Sequence, residues 1–250
     1  GTGVVTIGAL LGMAAHLEGR GVAVLDMTGL AQKYGAVTSH VRIAAKPDAL
    51  NGTRIPAGQA DLLLGCDLVV AAGRDTLAKL DPARSSAVVN AHRVMPSGFA
   101  RNPDLPFPGE GMAAQIRQAV VADGAHFLDA TRLAEQLLGD SIMANLFMVG
   151  FAYQKGLIPV SSAAIMRAIE LNGTAVERNR QAFQWGRHAA RGLAAVEALL
   201  SPSAAEPAPA TDLETLIARR RAYLTDYQDA AYAARYEALV RQVQAVERRR

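Results

Sequence analysis

The chain has 250 residues, half of them hydrophobic and 5% aromatic, which suits one or two domains whose core is filled by Ala, Val, Leu and Ile rather than by rings. No run of about 18 apolar residues occurs, so no transmembrane helix is expected, and the N-terminal residues lack the basic stretch and cleavage pattern of a secretion signal. The net charge of +3 is concentrated in residues 212–250, where eight arginines face six acidic residues, so the body is nearly neutral and offers no basic patch for nucleic acid.

The chain opens Gly1-Thr2-Gly3-Val4-Val5-Thr6. A glycine pair running into an apolar helical pattern normally follows a β-strand. None precedes it, so an upstream segment is expected. The spacing predicts a helix over 4–17 with Leu10, Leu11, Ala14 and Leu17 on its buried stripe. Glu18-Gly19 ends it, with glycine just past the last turn. Val22-Ala23-Val24-Leu25 is a continuous apolar run, as a strand covered on both faces requires, and Asp26 closes it. A polar loop over 28–36 leads to an alternating strand over 37–43. Prolines and glycines make 46–59 a loop. A short helix ending near Leu64 is expected next, then a buried strand over 67–72, a helix over 75–80 and a strand over 86–90. Cys66 reads as a small apolar filler ahead of the second of these elements. As the only cysteine, it forms no internal disulfide and cannot hold an iron–sulfur cluster, which usually takes four thiolates. A reducing cytoplasm is the expected compartment.

Residues 91–111 form a proline-rich loop of a length that is often functional. A helix over 112–122 and a strand over 126–129 resume the α/β rhythm. Helices alone follow, at 130–138, 141–154, 161–171 and 175–199, with Ser161 and Ser162 as N-caps after Pro159. The stretch SPSAAEPAPAT at 201–211 has the composition of a linker. Residues 212–250 form one long helix or two. Tyr223, Tyr227, Tyr232 and Tyr236 there join Leu216, Leu224, Leu239 and Val243 in an apolar face. Nothing else in the tail covers that face, so more chain is expected beyond Arg250. The arginine runs at 219–221 and 248–250 read as solvated helix faces. Strands alternating with helices, then helices alone, indicate an α/β fold: a doubly wound, mostly parallel Rossmann-like sheet with helices on both faces, followed by an α-helical extension. The expected division is an α/β domain at 1–200 lacking its first strand, a linker at 201–211, and the start of a helical region at 212–250.

The glycine turn is the first candidate for chemistry. A GxGxxG fingerprint needs Gly or Ala at position 6, where Thr6 stands, and Gly8 comes too late. Asp26, at a strand end downstream, fits an acidic ribose ligand. Gly1, Thr2 and Gly3 either bind an anion at the helix N-terminus or only permit a tight turn. The loop Leu30-Ala31-Gln32-Lys33-Tyr34-Gly35-Ala36 lies at the carboxyl end of a strand, where ligands of open α/β sheets collect. Lys33 pairs with a carboxylate or phosphate there, or is an ordinary solvated lysine. Gln32 adds a donor and an acceptor. His40 and Arg42 share one strand face, and His40 reads as structural because no nucleophile is placed beside it. His16, His92, His126 and His188 show no metal-ligand spacing. Asn90-Ala91-His92-Arg93 leaves a strand and would line the same crevice as Lys33. No catalytic residue and no metal ligand is assigned, and GxSxG, HExxH and GxxxxGK[ST] motifs do not occur. Two other classes stay open: an NAD-binding dehydrogenase with a helical dimerisation domain, favoured by Asp26 and the glycine turn, and a non-enzymic module whose tyrosine face docks a partner.

The segment LDMTGLAQKYGAVTSHVRI, residues 25–43, resembles the gamma domain of 2-oxoacid:ferredoxin oxidoreductases, specifically the bacterial indolepyruvate type. The opening GTGVVTIGALLGMAAHLEG is similar to that family's glycine-rich start. So are the stretch from Gly139 to Pro159, with Asn145, Gly150 and KGLIP, and NGTAVERNRQAFQWGR, with Asn179, Ala182, Phe183 and Gly186. The resemblance spans residues 1 to about 190 in order. The tail LIARRRAYLTDYQDAAYAARY resembles the helical region that follows this domain in long single-chain enzymes. The resemblance implies an enzyme that oxidatively decarboxylates an aryl 2-oxoacid with coenzyme A and passes electrons to ferredoxin. It implies thiamine pyrophosphate with Mg and iron–sulfur clusters in other, thiamine-binding and ferredoxin-like, domains, and an oligomeric assembly. It places Gln32, Lys33 and Gly35 in a loop facing substrate or coenzyme A. Tyr34 stands where family members commonly have a second glycine.

Overall fold

The computed structural model describes residues 7–28, 37–93, 108–200 and 212–247. The chain divides into two compact units, Gly1–Ser201 and Pro202–Arg250.

In the first unit, α1 (Ile7–Leu17) precedes an antiparallel ribbon of β1 (Gly21–Thr28) and β2 (Val37–Ala44), in register from Gly21 opposite Ala44 to Thr28 opposite Val37. Helix and ribbon approach closely because α1 presents glycines. A Cβ at Gly12 would sit 3.0 Å from Val24 Cγ2, and one at Gly8 3.2 Å from Val24 Cγ1. Leu10, Leu11 and Ala14 are buried as expected, but Leu17 is 45% exposed, because the helix ends there and turns away through Gly19 at φ 69°.

A three-stranded parallel sheet follows, in the order β3 (Leu62–Gly65), β4 (Ser86–Asn90), β5 (Ala125–Leu128). Its side chains alternate between two cores, as the period of two requires. Ala87, Val89 and Phe127 join Leu68, Ala71, Ile116 and Val120 on one side. Val88, Leu128, Leu62 and Leu64 face the larger core on the other. The first side is covered by α2 (Leu68–Ala71) and α4 (Gly109–Gln118), and α3 (Arg74–Leu77) lies between β3 and β4 in the chain. The second is covered by α6 (Ala144–Gln154), which is buried along nearly its whole length. The sheet is therefore parallel and covered on both faces, as the pattern of elements predicts.

The remaining helices complete the larger core: α5 (Ala130–Leu138), α7 (Ser162–Asn172), α8 (Val176–Arg191) and α9 (Leu193–Glu197). Helices α6 and α8 cross so tightly that a Cβ at Gly150 would lie 2.0 Å from the Phe183 carbonyl, and one at Gly186 1.9 Å from that of Phe147. Two of the glycines that carried the family resemblance therefore sit at backbone contacts. Ser161 caps α7 by accepting from Ala164 N at 3.1 Å.

Three local expectations are corrected. Residues 67–72 form no strand. The strand is the preceding Leu62–Gly65, where a short helix was expected, and Leu68–Ala71 is helical. The deciding interaction is Asp67, whose carboxylate accepts from Val70 N at 2.8 Å and so starts a helix. The helix expected over 175–199 breaks at Gly192, which adopts φ −169° and ψ 84° between α8 and α9. Cys66 is exposed, because it follows the last strand residue rather than preceding a strand.

The second unit is a hairpin of α10 (Leu213–Tyr227) and α11 (Ala230–Glu247). Asp212 caps α10 through Thr215 N at 2.8 Å. Arg241 pairs with Glu214, and Arg221 with Glu237 at 3.2 Å, across the two helices. The ring of Tyr223 stacks on that of Tyr227 with centroids 6.4 Å apart, and both side chains are exposed.

Candidate functional site

The parallel register of β3, β4 and β5 brings their carboxyl ends to one edge, the edge at which α/β sheets hold ligands. Asn90, at the end of β4, is 6% exposed. Its Nδ2 donates to the Cys66 carbonyl at 3.3 Å and to Thr131 Oγ1 at 2.9 Å. Its Oδ1 accepts from Ala130 N at 3.0 Å and from His92 N at 3.2 Å. One buried amide thus ties the end of β3, the exit of β4 and the start of α5 together with its whole hydrogen-bonding capacity.

Two residues beyond Asn90, the His92 ring places Nδ1 3.1 Å from Asp129 Oδ1. Asp129 is the N-cap of α5 and also accepts from Arg132 N at 2.9 Å. Both side chains are partly open, His92 at 39% and Asp129 at 33%. The Cys66 thiol follows the last residue of β3 at the same edge. Although part of the residue meets solvent, the atoms packed round its sulfur, and then the Asp67 carboxylate, push the thiol up to about 11.

The β1–β2 ribbon carries the other polar residues singled out in the sequence. Ser39 donates its hydroxyl to the Asp26 carboxylate. Arg42 is fixed by the carbonyls of Asn51 at 2.9 Å and Gly52 at 2.8 Å. His40 is buried and accepts from Ile55 N at 2.9 Å through Nδ1. Its burial, and then Lys79 and Arg54, hold its imidazole below the ordinary value. That is a structural histidine. Asp26 lies on a strand paired antiparallel, outside the parallel sheet, rather than on the first strand of a parallel βαβ unit of the kind a dinucleotide site is built on.

The candidate turn Gly1, Thr2 and Gly3 and the loop residues Gln32, Lys33 and Gly35 lie outside the described residues. Of the strand-end residues named from the sequence, the structure joins Asn90 and His92 to Asp129 and Thr131, which sequence reasoning had not selected. Their signal was an Asp followed directly by a helical pattern at the end of a strand, the N-cap position. Among the described residues no group of three or more His, Cys, Asp or Glu meets to hold a metal ion. The donor set does not fit an iron–sulfur cluster, because the sequence has one cysteine. No helix among the described residues is long and apolar enough to cross a membrane.

A parallel sheet covered on both faces, with a tethered polar cluster at its carboxyl edge, defines a Rossmann-like α/β module. Residues 1–189 match the family model described as pyruvate ferredoxin/flavodoxin oxidoreductase, and the chain belongs to that family, as a gamma-type module of a 2-oxoacid:ferredoxin oxidoreductase. It is 30% identical over 202 residues to the indolepyruvate oxidoreductase subunit IorB of Pyrococcus horikoshii, covering 76% of this chain and 92% of that protein. It is 28% identical, with the same coverage, to the protein of the same name from Thermococcus kodakarensis. The pyruvate oxidoreductase subunit PORC of Thermotoga maritima shares the fold, with a TM-score of 0.50 at 19% identity, covering 75% of this chain and 90% of that one.

Proposed function

We propose that this chain shapes the substrate and coenzyme A side of an active site at which an aryl 2-oxoacid is oxidatively decarboxylated to its acyl-CoA, with ferredoxin as electron acceptor. The identity with a subunit named for indolepyruvate oxidation supports the aryl substrate. The polar carboxyl edge supports a ligand-facing role. Thiamine pyrophosphate with Mg and the iron–sulfur clusters belong to thiamine-binding and ferredoxin-like partners in an oligomeric assembly, since the donor set of this chain does not fit a cluster. Gln32, Lys33 and Gly35 form the loop toward substrate or coenzyme A, and Gly1, Thr2 and Gly3 a turn suited to an anion.

Steady-state kinetics of the complete enzyme test this reading. Indolepyruvate is expected to be a better substrate than pyruvate, and Lys33→Ala is expected to raise the KM for the oxoacid or for coenzyme A by roughly tenfold, the loss of one charge-assisted hydrogen bond. Preference for pyruvate overturns the aryl assignment. Unchanged constants in the Lys33 variant remove the loop from the site.

A further inference from the structure

We propose that His92, oriented by Asp129, is a proton acceptor at the carboxyl edge of the sheet, and that it takes the proton of a ligand thiol. The identity of that thiol as coenzyme A rests on the function proposed above.

The Nδ1 of His92 lies 3.1 Å from Asp129 Oδ1. With Nδ1 donating to that carboxylate, the lone pair of the imidazole lies on Nε2. Among the described residues Nε2 has no hydrogen-bond partner, and the side chain is 39% exposed. Both members of the pair are held by the fold, unlike those of an ordinary surface ion pair. The His92 backbone N–H is bound by the buried Asn90 amide, and Asp129 is fixed as the cap of α5 by Arg132 N. The pair is thus held in place at the edge where a ligand of such a sheet sits.

A free thiol ordinarily titrates near 8.5 and an imidazole near 6.5, so at neutral pH a thiol needs a base before it can attack. In the proposed step the S–H bond breaks and its electron pair stays on sulfur as the thiolate. The proton goes to Nε2, and Asp129 balances the imidazolium that results. No electron is gained or lost. The same groups return the proton in the reverse direction.

The test uses the complete enzyme, this chain with its thiamine-binding and ferredoxin-like partners. His92→Ala is expected to lower coenzyme A-dependent turnover by about 10²-fold, the usual contribution of a positioned base, and imidazole added to solution is expected to restore part of it. Asp129→Asn keeps a good N-cap on α5 and so keeps the unfolding midpoint, yet is expected to lower the same turnover. Turnover within twofold of wild type in His92→Ala, or a loss that imidazole does not reverse, overturns the proposal. Nitrogen-15 NMR of the unmutated full chain separates this from the function proposed above. Hydrogen on Nδ1 and a bare Nε2 in the neutral ring support the assignment whatever the substrate, and the opposite tautomer overturns it. Absence of any 2-oxoacid turnover by the unmutated enzyme overturns the proposed function instead.

Discussion

Nδ1 of His40 accepts a hydrogen bond from a backbone N–H, so it must be unprotonated to keep that bond. Burial and two nearby cations hold its imidazole below the ordinary 6.5 in the folded chain. The stability it contributes is therefore fully present above about 6.5 and is lost as pH falls through the lowered value, because the unfolded chain binds the proton first. His126 works in the same direction, through burial and then Lys155. The urea midpoint is expected to fall between about pH 7 and pH 5, and His40→Gln is expected to flatten that fall. An equal slope in the variant assigns the dependence elsewhere. The structural role of His40 was legible in the sequence because nothing reactive stood beside it. The role of Asn90 was legible only as a strand-end position. Its four bonds reach Cys66, His92, Ala130 and Thr131, and of these only His92 is near it in the chain. Such a tether is set by parallel register, which no local pattern reports.

At the scale of elements, the crossing of α6 and α8 is the tightest test of the packing. A methyl group at Gly150 or Gly186 meets a carbonyl of the facing helix at about half a normal contact distance, and backbone on both sides cannot yield as a side chain would. Gly150→Ala and Gly186→Ala are each expected to lower the unfolding free energy by about 3 kcal/mol, the range of a severe overpacking change. Gly139→Ala is the control. Its Cβ meets nothing within 4 Å and only the positive φ of 74° opposes it, for a cost of about 1 kcal/mol. Urea denaturation of the three variants ranks them, and a Gly139 effect as large as the other two refutes the close crossing. The helices were readable here because their caps are local: Gly19, Gly139 and Gly173 all take the positive φ that ends a helix. The strand β3 was not. Four residues are too few to show a period, and the adjoining Leu-Val-Val-Ala run looks more like a buried strand than the strand itself. Only the Asp67 cap distinguishes them.

At the scale of the whole chain, the single cysteine is too few to hold an iron–sulfur cluster, which usually takes four thiolates. The core is complete on both faces of a parallel sheet, and the polar edge is organised by one amide. Family membership covers residues 1–189, so the α10–α11 hairpin with its exposed tyrosines lies outside the part that the family shares. On the function proposed above, electrons pass from an oxoacid to ferredoxin through centres that accept them one at a time, and those centres belong to partners. The isolated chain is therefore expected to show no 2-oxoacid-dependent dye reduction, and mixing it with the thiamine-binding and ferredoxin-like partners is expected to produce it. Residual turnover by the chain alone would show that it carries redox chemistry its donor set does not reveal. If activity in the mixture is instead independent of this chain, the carboxyl edge does not line the active site, and Asn90 and its tether serve the fold alone.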